Sequence, residues 1–459
     1  VIHEILRQKA HVLSKTEENL IAQFSELTSA TNNIFSMINN ADIKFGTIID
    51  EEGEEIEVTH GRYISLMESQ DRRVRKEAFE RLYAAYEAQK NTLAVTYNYN
   101  TKTDVVNARI RKYKSSLESA LSGDNIPEEV YDNLIRVVNE RLPSIHRYME
   151  IRRRALNLDQ IHMYDLYTPL VDSPMGKVEY HKALKIVEEG LQPLGEDYIY
   201  NMKSGLAQGW IDVYENEGKT SGAYSFGSYD SKPYILLNYN GRLKDVFTIA
   251  HEMGHSMHSY YTRKNQPFVY GGHSIFTAEV ASTVNENLLM HYLIQKEVDH
   301  TRRKYLLNLY IEDFRATLFR QTMFAEFERS THQAVEEGEV LTAEWLCDYY
   351  LELNRKYFGD EVVYDPQIAM EWSRIPHFYN AFYVYKYATG YSAAVALSDK
   401  ILKEGKNARD AYLNFLKSGD SDYPIALLQK AGVDMSQTEP IEKAMDTFEE
   451  LIGELEKTI

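Results

Sequence analysis

Cys347 is the one cysteine in 459 residues, so no disulfide can form within the chain. That scarcity fits a reducing, cytoplasmic environment. No run of 18 apolar residues occurs, and no transmembrane helix is therefore expected. Positive charge is also short. Lys and Arg total 51 against 69 Asp and Glu, leaving a net charge of −18. Such a balance disfavours nucleic acid and anionic membranes as partners. Two basic clusters, Arg72-Arg73-Val74-Arg75-Lys76 and Arg152-Arg153-Arg154, run against this trend. Each sits in a helical, Glu-containing pattern and reads as a solvated face. The opening residues, Val1-Ile2-His3-Glu4-Ile5-Leu6-Arg7, carry neither Met nor signal-peptide grammar and already read as helix.

What is present is mostly helical patterning, and 44% apolar residues suffice for large cores. Residues 16–40 and 69–110 show helical apolar spacing, with Phe79, Leu82, Tyr83 and Tyr86 as one stripe. Pro127 opens another helix, with Asn125 as its expected cap. Residues 43–49 and 55–59 alternate around Glu51-Glu52-Gly53-Glu54 and predict a small hairpin. A short strand is expected near 162–168. The best strand pair is Ser221–Tyr229 with Tyr234–Tyr239, turning at Asp230-Ser231-Lys232-Pro233. Helix returns over 297–357 and about 378–418, and Pro424 and Pro440 mark later helix starts. No repeat, low-complexity tract or flexible linker is visible. The expectation is one continuous unit over 1–459, with a helical lobe and hairpin over about 1–200 and a second lobe over about 201–459.

That second half holds His251-Glu252-Met253-Gly254-His255. Residues four apart share one face of a helix, so the two imidazoles stand one above the other. Two neutral imidazoles so placed can share one Zn²⁺. Glu252 lies about 100° round the helix, flanking the ion rather than binding it. From there it can accept a proton from water. The lead-in from Arg242 has no Pro or internal Gly, and Val246, Ile249, Ala250, Met253 and Met257 give a packed face. A helix over about 243–263 follows. Gly254 within it costs about 1 kcal/mol against Ala, which points to close approach by a ligand or another backbone.

The third ligand must come from elsewhere. His258 shares the face, but at 1.5 Å per residue it lies roughly 10 Å along the axis from His251. It reads as a packed or supporting histidine. Glu279 is the better candidate. It lies on a second helix reading Phe276-Thr277-Ala278-Glu279-Val280-Ala281-Ser282-Thr283-Val284-Asn285-Glu286. A carboxylate from there completes a two-His, one-Glu site with an open fourth position, as catalytic zinc requires. Glu286, Ser282 and Asp245 are candidates to hold a ligating imidazole in its tautomer.

These two blocks, together with Arg374-Ile375-Pro376-His377-Phe378-Tyr379-Asn380-Ala381-Phe382-Tyr383-Val384-Tyr385-Lys386-Tyr387-Ala388-Thr389-Gly390, resemble the thimet oligopeptidase family. The bacterial oligoendopeptidase F branch is the nearer likeness, and it runs from near residue 1 to near residue 450. The resemblance implies a mainly α fold of two helical lobes around a deep substrate channel, with a small sheet beside the zinc helix. It implies one Zn²⁺ per chain on His251, His255 and Glu279, with Glu252 as general base. His377 and Tyr385 become donors to the oxyanion, while Tyr379, Tyr383 and Tyr387 stay open for that role. It also implies an N-terminal helical portion ahead of residue 1, and a substrate peptide laid antiparallel to the strand before the zinc helix.

The expected function is zinc-dependent hydrolysis of internal bonds in short peptides, in the cytoplasm. Zn²⁺ would serve as Lewis acid and lower the pKa of water to about 7, and no covalent intermediate would be needed. Two alternatives remain open. One is a metallocarboxypeptidase on the same scaffold, which needs a cation for the substrate C-terminus. The other is a non-catalytic peptide-binding helical protein.

Overall fold

Apolar residues at helical spacing become helices almost throughout, and the strands are short. The computed structural model describes residues 2–171, 174 and 176–459; Val1 lies outside them, and the helix expected at the start runs Ile2–Gln8. The described residues fall into two compact units. The first comprises the chain up to Gly123, Leu142–Leu170 and Thr322–Tyr385. The second comprises Asp124–Arg141, Val171–Gln321 and Lys386–Ile459. The units interleave along the chain, so no single cut near residue 200 separates them. The boundaries at 321 and 385 fall at helix starts rather than in Pro- or Gly-rich linkers, and composition does not mark them.

In the first unit, the 72–110 region is two helices, Arg72–Glu87 and Lys90–Ile110. Phe79, Leu82, Tyr83 and Tyr86 are all buried, as the stripe requires. The expected hairpin forms between Thr47–Ile49 and Glu55–Glu57, with Ile48 opposite Ile56. The strand expected near 162–168 shrinks to Ile161–His162, paired in parallel with Val362–Val363. Its continuation is a 3₁₀ turn, Met163–Asp165.

Part of the basic patterning is not solvated. Arg75 and Arg152 are 3% and 0% exposed. Arg75 and Arg72 each donate to the buried Asp165 carboxylate at 2.8 Å. Arg152 donates to the Asp165 and Thr168 carbonyls at 3.0 and 2.7 Å. Buried guanidinium groups persist only when so satisfied.

The second unit carries a three-stranded sheet. Tyr234–Leu236 is central, antiparallel to Tyr224–Phe226 and parallel to Ile211–Asp212, a strand the sequence pattern did not reveal. After it comes the His helix, Leu243–Asn265, and then the Glu helix, Ile275–Lys296. Asp245 starts the His helix by accepting from the Asn240 and Arg242 N–H groups at 2.8 and 3.0 Å. Asn125 does not cap the Glu128–Glu140 helix as expected; it takes a left-handed φ of 51°, and Pro127 occupies the cap position.

Candidate metal centre and active site

The His and Glu helices meet at Gly254. A Cβ there would stand 2.6 Å from the Ser282 Cα and 2.7 Å from the Ala281 carbonyl oxygen. The glycine anticipated as a point of close approach thus lets one backbone lie on another. One turn earlier, buried Asn285 donates to the Ala250 carbonyl at 3.0 Å and is itself bonded to the Tyr198 hydroxyl. These contacts fix the rotation of the Glu helix and turn Glu279 toward His251 and His255.

The donor atoms converge. His251 Nε2 lies 3.2 Å from His255 Nε2 and 3.4 Å from Glu279 Oε2, and His255 Nε2 lies 3.7 Å from the same oxygen. Donors about 2.0–2.1 Å from one tetrahedral centre stand roughly 3.4 Å apart, so the three fit a single zinc-sized ion. They form the one cluster of metal-ligating side chains found among the described residues.

The surroundings are electrostatically suited to a cation. Glu286 Oε2 lies 3.3 Å from His251 Nδ1. Burial pulls the His251 imidazole down, but Glu286, Glu279 and Glu252 outweigh it and hold the group at about 9. Burial, then the charges on His251 and His273, depress His255 to about 3, against a hydrogen bond to the Ala278 carbonyl. His251 thus has its Nδ1 engaged by a carboxylate, the usual support for metal-bound histidine, and a backbone carbonyl acts on His255. Buried Glu252 is raised, first by its burial and then by Glu279 and Glu286, while His251 and the Ser225 N–H favour its ionised form. Ser225 belongs to the Tyr224–Phe226 strand, and its hydroxyl pairs with that of Ser256 at 2.7 Å. The strand edge is thereby fastened beside Glu252, a link that no residue pattern in the sequence reveals.

Residues 65–447 match the family model described as Peptidase family M3, and residues 1–45 match the one described as Oligopeptidase F. The chain belongs to peptidase family M3. Within it, the chain falls in the oligoendopeptidase F branch, whose members are metalloendopeptidases. It is 54% identical over 458 residues to Oligopeptidase PepF of Bacillus subtilis, covering 100% of this chain and 68% of that protein. It is 47% identical to Group B oligopeptidase PepB of Streptococcus agalactiae, covering 99% and 76%. Oligoendopeptidase-F of Enterococcus faecium superposes with a TM-score of 0.84 at 43% identity, covering 100% of this chain and 77% of that one. A Chlamydophila abortus structure described as a peptidase gives a TM-score of 0.94 at 42% identity, over 100% and 77%. The mainly helical fold with small sheets is therefore that of the M3 oligoendopeptidases.

The other candidates distribute unevenly in this M3 chain. His258 is buried and stacks on His273, ring centroids 4.2 Å apart, so it packs rather than joining the cluster. Ser282 bonds to Glu279, not to an imidazole: its hydroxyl donates to the Glu279 carbonyl at 2.9 Å and its carboxylate at 3.2 Å. Asp245 is spent on the helix cap. His377 belongs to the first unit, half-buried on the 3₁₀ turn Pro376–Tyr379 and stacked on Tyr383 at 5.7 Å. Tyr379 stacks on Phe35 at 4.3 Å. Tyr385 carries no exposed surface. Tyr387, two residues on, lines a cavity together with His251, Glu279 and Glu286.

Proposed function

We propose that the chain is a zinc-dependent endopeptidase that hydrolyses internal bonds of short peptides in the cytoplasm. The observation that carries the reading is the convergence of His251, His255 and Glu279 with buried Glu252 one residue along the same helix. His251, His255 and Glu279 would hold the ion, held in turn by Glu286, the Ala278 carbonyl and Ser282. When bound, Zn²⁺ acts as a Lewis acid on the scissile carbonyl and lowers the pKa of water toward about 7. Glu252 accepts the proton of the attacking water and passes it to the leaving amine. Its raised proton affinity, a consequence first of burial, suits both halves of that task.

His377 and Tyr385 are the oxyanion donors implied by family likeness. Full burial counts against Tyr385, and the position of Tyr387 beside the cluster makes it the phenol we assign to the oxyanion. An extended substrate can pair with Tyr224–Phe226, an edge strand whose Tyr224 and Phe226 are exposed and whose Ser225 touches the base. No described helix is long and apolar enough to cross a membrane. We take the partners to be peptides, not nucleic acid or membrane.

The test is cleavage of a quenched-fluorescent peptide library, roughly 5 to 20 residues long, by the zinc-loaded protein. Internal cleavage that vanishes in Glu252→Gln, with zinc retained, supports the reading. Turnover surviving in the metal-replete variant would reject the base. Stepwise loss of single C-terminal residues, read by mass spectrometry, would replace endopeptidase by carboxypeptidase action.

A further inference from the structure

The cavity beside the metal cluster has a second chemistry. It measures about 270 Å³, just under the usual range of ~300–1,000 Å³ for whole small ligands. It is thus sized for one side chain. Its walls include His251, Glu279, Glu286, Asp313, Tyr387 and Tyr391. Of these, His251 and Glu279 belong to the proposed metal site, and Glu286 is committed to His251.

Asp313 is committed to nothing. It comes from the next helix, His300–Phe314, and no hydrogen bond or ion pair reaches its carboxylate among the described residues. Asp313 is exposed, so its carboxyl is open to a ligand; the surrounding protein raises its proton affinity, and a cation seated beside it restores the ionised form. Glu286 and Glu312 reinforce the raised affinity, and the exposed Lys244 opposes it without forming an ion pair.

The second orphan is Tyr391. It is 8% exposed, and its hydroxyl has no hydrogen-bond partner among the described residues. Tyr391 itself lines the cavity, as do Tyr310, Asp313 and Glu286, whose charges act on its hydroxyl. A buried hydroxyl without a partner is unfavourable unless a ligand supplies one. An unpaired carboxylate and an unpaired phenol therefore share one cavity next to the reaction centre. Phe247 and Met290 add an apolar wall against which an alkyl stem can lie.

We infer that this cavity is a subsite for a lysine or arginine side chain of the substrate peptide, close to the scissile bond. The ammonium or guanidinium group pairs with Asp313, the Tyr391 hydroxyl gives further polar contact, and the aliphatic stem packs on Phe247 and Met290. The inference rests on the peptidase reading above, from which it takes the substrate backbone.

Matched peptides carrying lysine, arginine, citrulline or norleucine at each position around the cleavage site test it in two ways. The first is kcat/KM with the zinc-loaded protein. The expected result is a preference of roughly tenfold or more for the basic residue over norleucine at one position, the scale of one charge-assisted hydrogen bond. In Asp313→Asn that ratio falls toward one. The second is fluorescence anisotropy of labelled lysine and norleucine peptides on Glu252→Gln, with and without Asp313→Asn, which needs no turnover. A ratio near one at every position, or one unchanged by Asp313→Asn, overturns the subsite even if peptides are cleaved. An Asp313-dependent lysine preference in binding without any cleavage keeps the subsite and fails the peptidase reading. Should Asp313→Asn fail to fold, Tyr391→Phe, which deletes only a hydroxyl, must lower the same ratio, and no change there overturns the proposal.

Discussion

Gly254 of the His helix lies so close to Ser282 of the Glu helix that a Cβ on the glycine would stand 2.6 Å from the Ser282 Cα. Neither partner atom is the end of a flexible side chain, so the contact cannot be relieved by a rotamer change. Gly254→Ala must part the two helices, moving Glu279 away from the imidazoles. Overpacking of this kind costs about 1–3 kcal/mol. We expect a lowered Tm together with a weakened zinc Kd by competitive chelation. A variant with wild-type zinc affinity would show that the ligands do not depend on this crossing.

Glu286 and Glu279 should separate by the depth of their effect on the metal. Glu279→Ala removes a proposed ligand, and stoichiometric zinc should be lost. Glu286→Ala removes the carboxylate on His251 Nδ1 and should weaken zinc binding by roughly 10–100-fold while leaving one ion per chain at saturation. Equal loss in both variants, by metal analysis after dialysis, would place Glu286 among the ligands themselves.

The tyrosine block gives a paired comparison. Tyr387→Phe should reduce kcat by roughly 10²–10³, the scale of one lost oxyanion donor, with little change in fold. Tyr385→Phe, at a site with no exposed surface, should act mainly on Tm. The reverse pattern would restore Tyr385 to the oxyanion.

Glu328 predicts an unusual pH dependence. Fully buried in the first unit, it accepts the Phe382 N–H at 2.7 Å, and its carboxyl is held well above the usual range, first by burial. With the folded pKa raised, the unfolded chain gives up this proton at lower pH than the folded one. Stability is therefore complete below about 4.5 and falls as pH rises from there toward the folded value, by about 1.4 kcal/mol per pH unit. Glu328→Gln should flatten this slope and leave the protein at least as stable near pH 7. Thermal melts from pH 5 to 8 decide it; parallel slopes in both proteins would reject the assignment.

The site was legible where the helix period carries the chemistry. His251 and His255 are one turn apart, and their own helix settles their convergence. Glu279 was legible only as a carboxylate on a second helix, because what turns it inward is the contact of Gly254 with Ala281 and Ser282. Asp245 looked like support for an imidazole and proved to be a cap, since proximity along a helix does not tell which way a side chain turns. Helical register fails across residues 376–384. There a 3₁₀ turn and a left-handed Phe382, φ 53°, delay the helix start to Tyr385, so Tyr385 and Tyr387 could not be told apart by spacing. Arg152 read as solvated because its neighbours are charged. Burial depends on Asp165 and Thr168 offering carbonyls, and those follow it by 13 and 16 residues.

The interleaving of the two units bears on how the protein is made. The unit that holds His251, His255 and Glu279 draws on residues from Asp124 to the last helix, Glu439–Glu456. A nascent chain paused after the Glu helix has every proposed ligand but lacks the Lys386–Ile459 segment of that unit, including Tyr387 and Tyr391. The unit around the proposed ligands is thus complete only once residues 386–459 have been made. No contiguous fragment that stops short of the C-terminal segment can supply the unit whole.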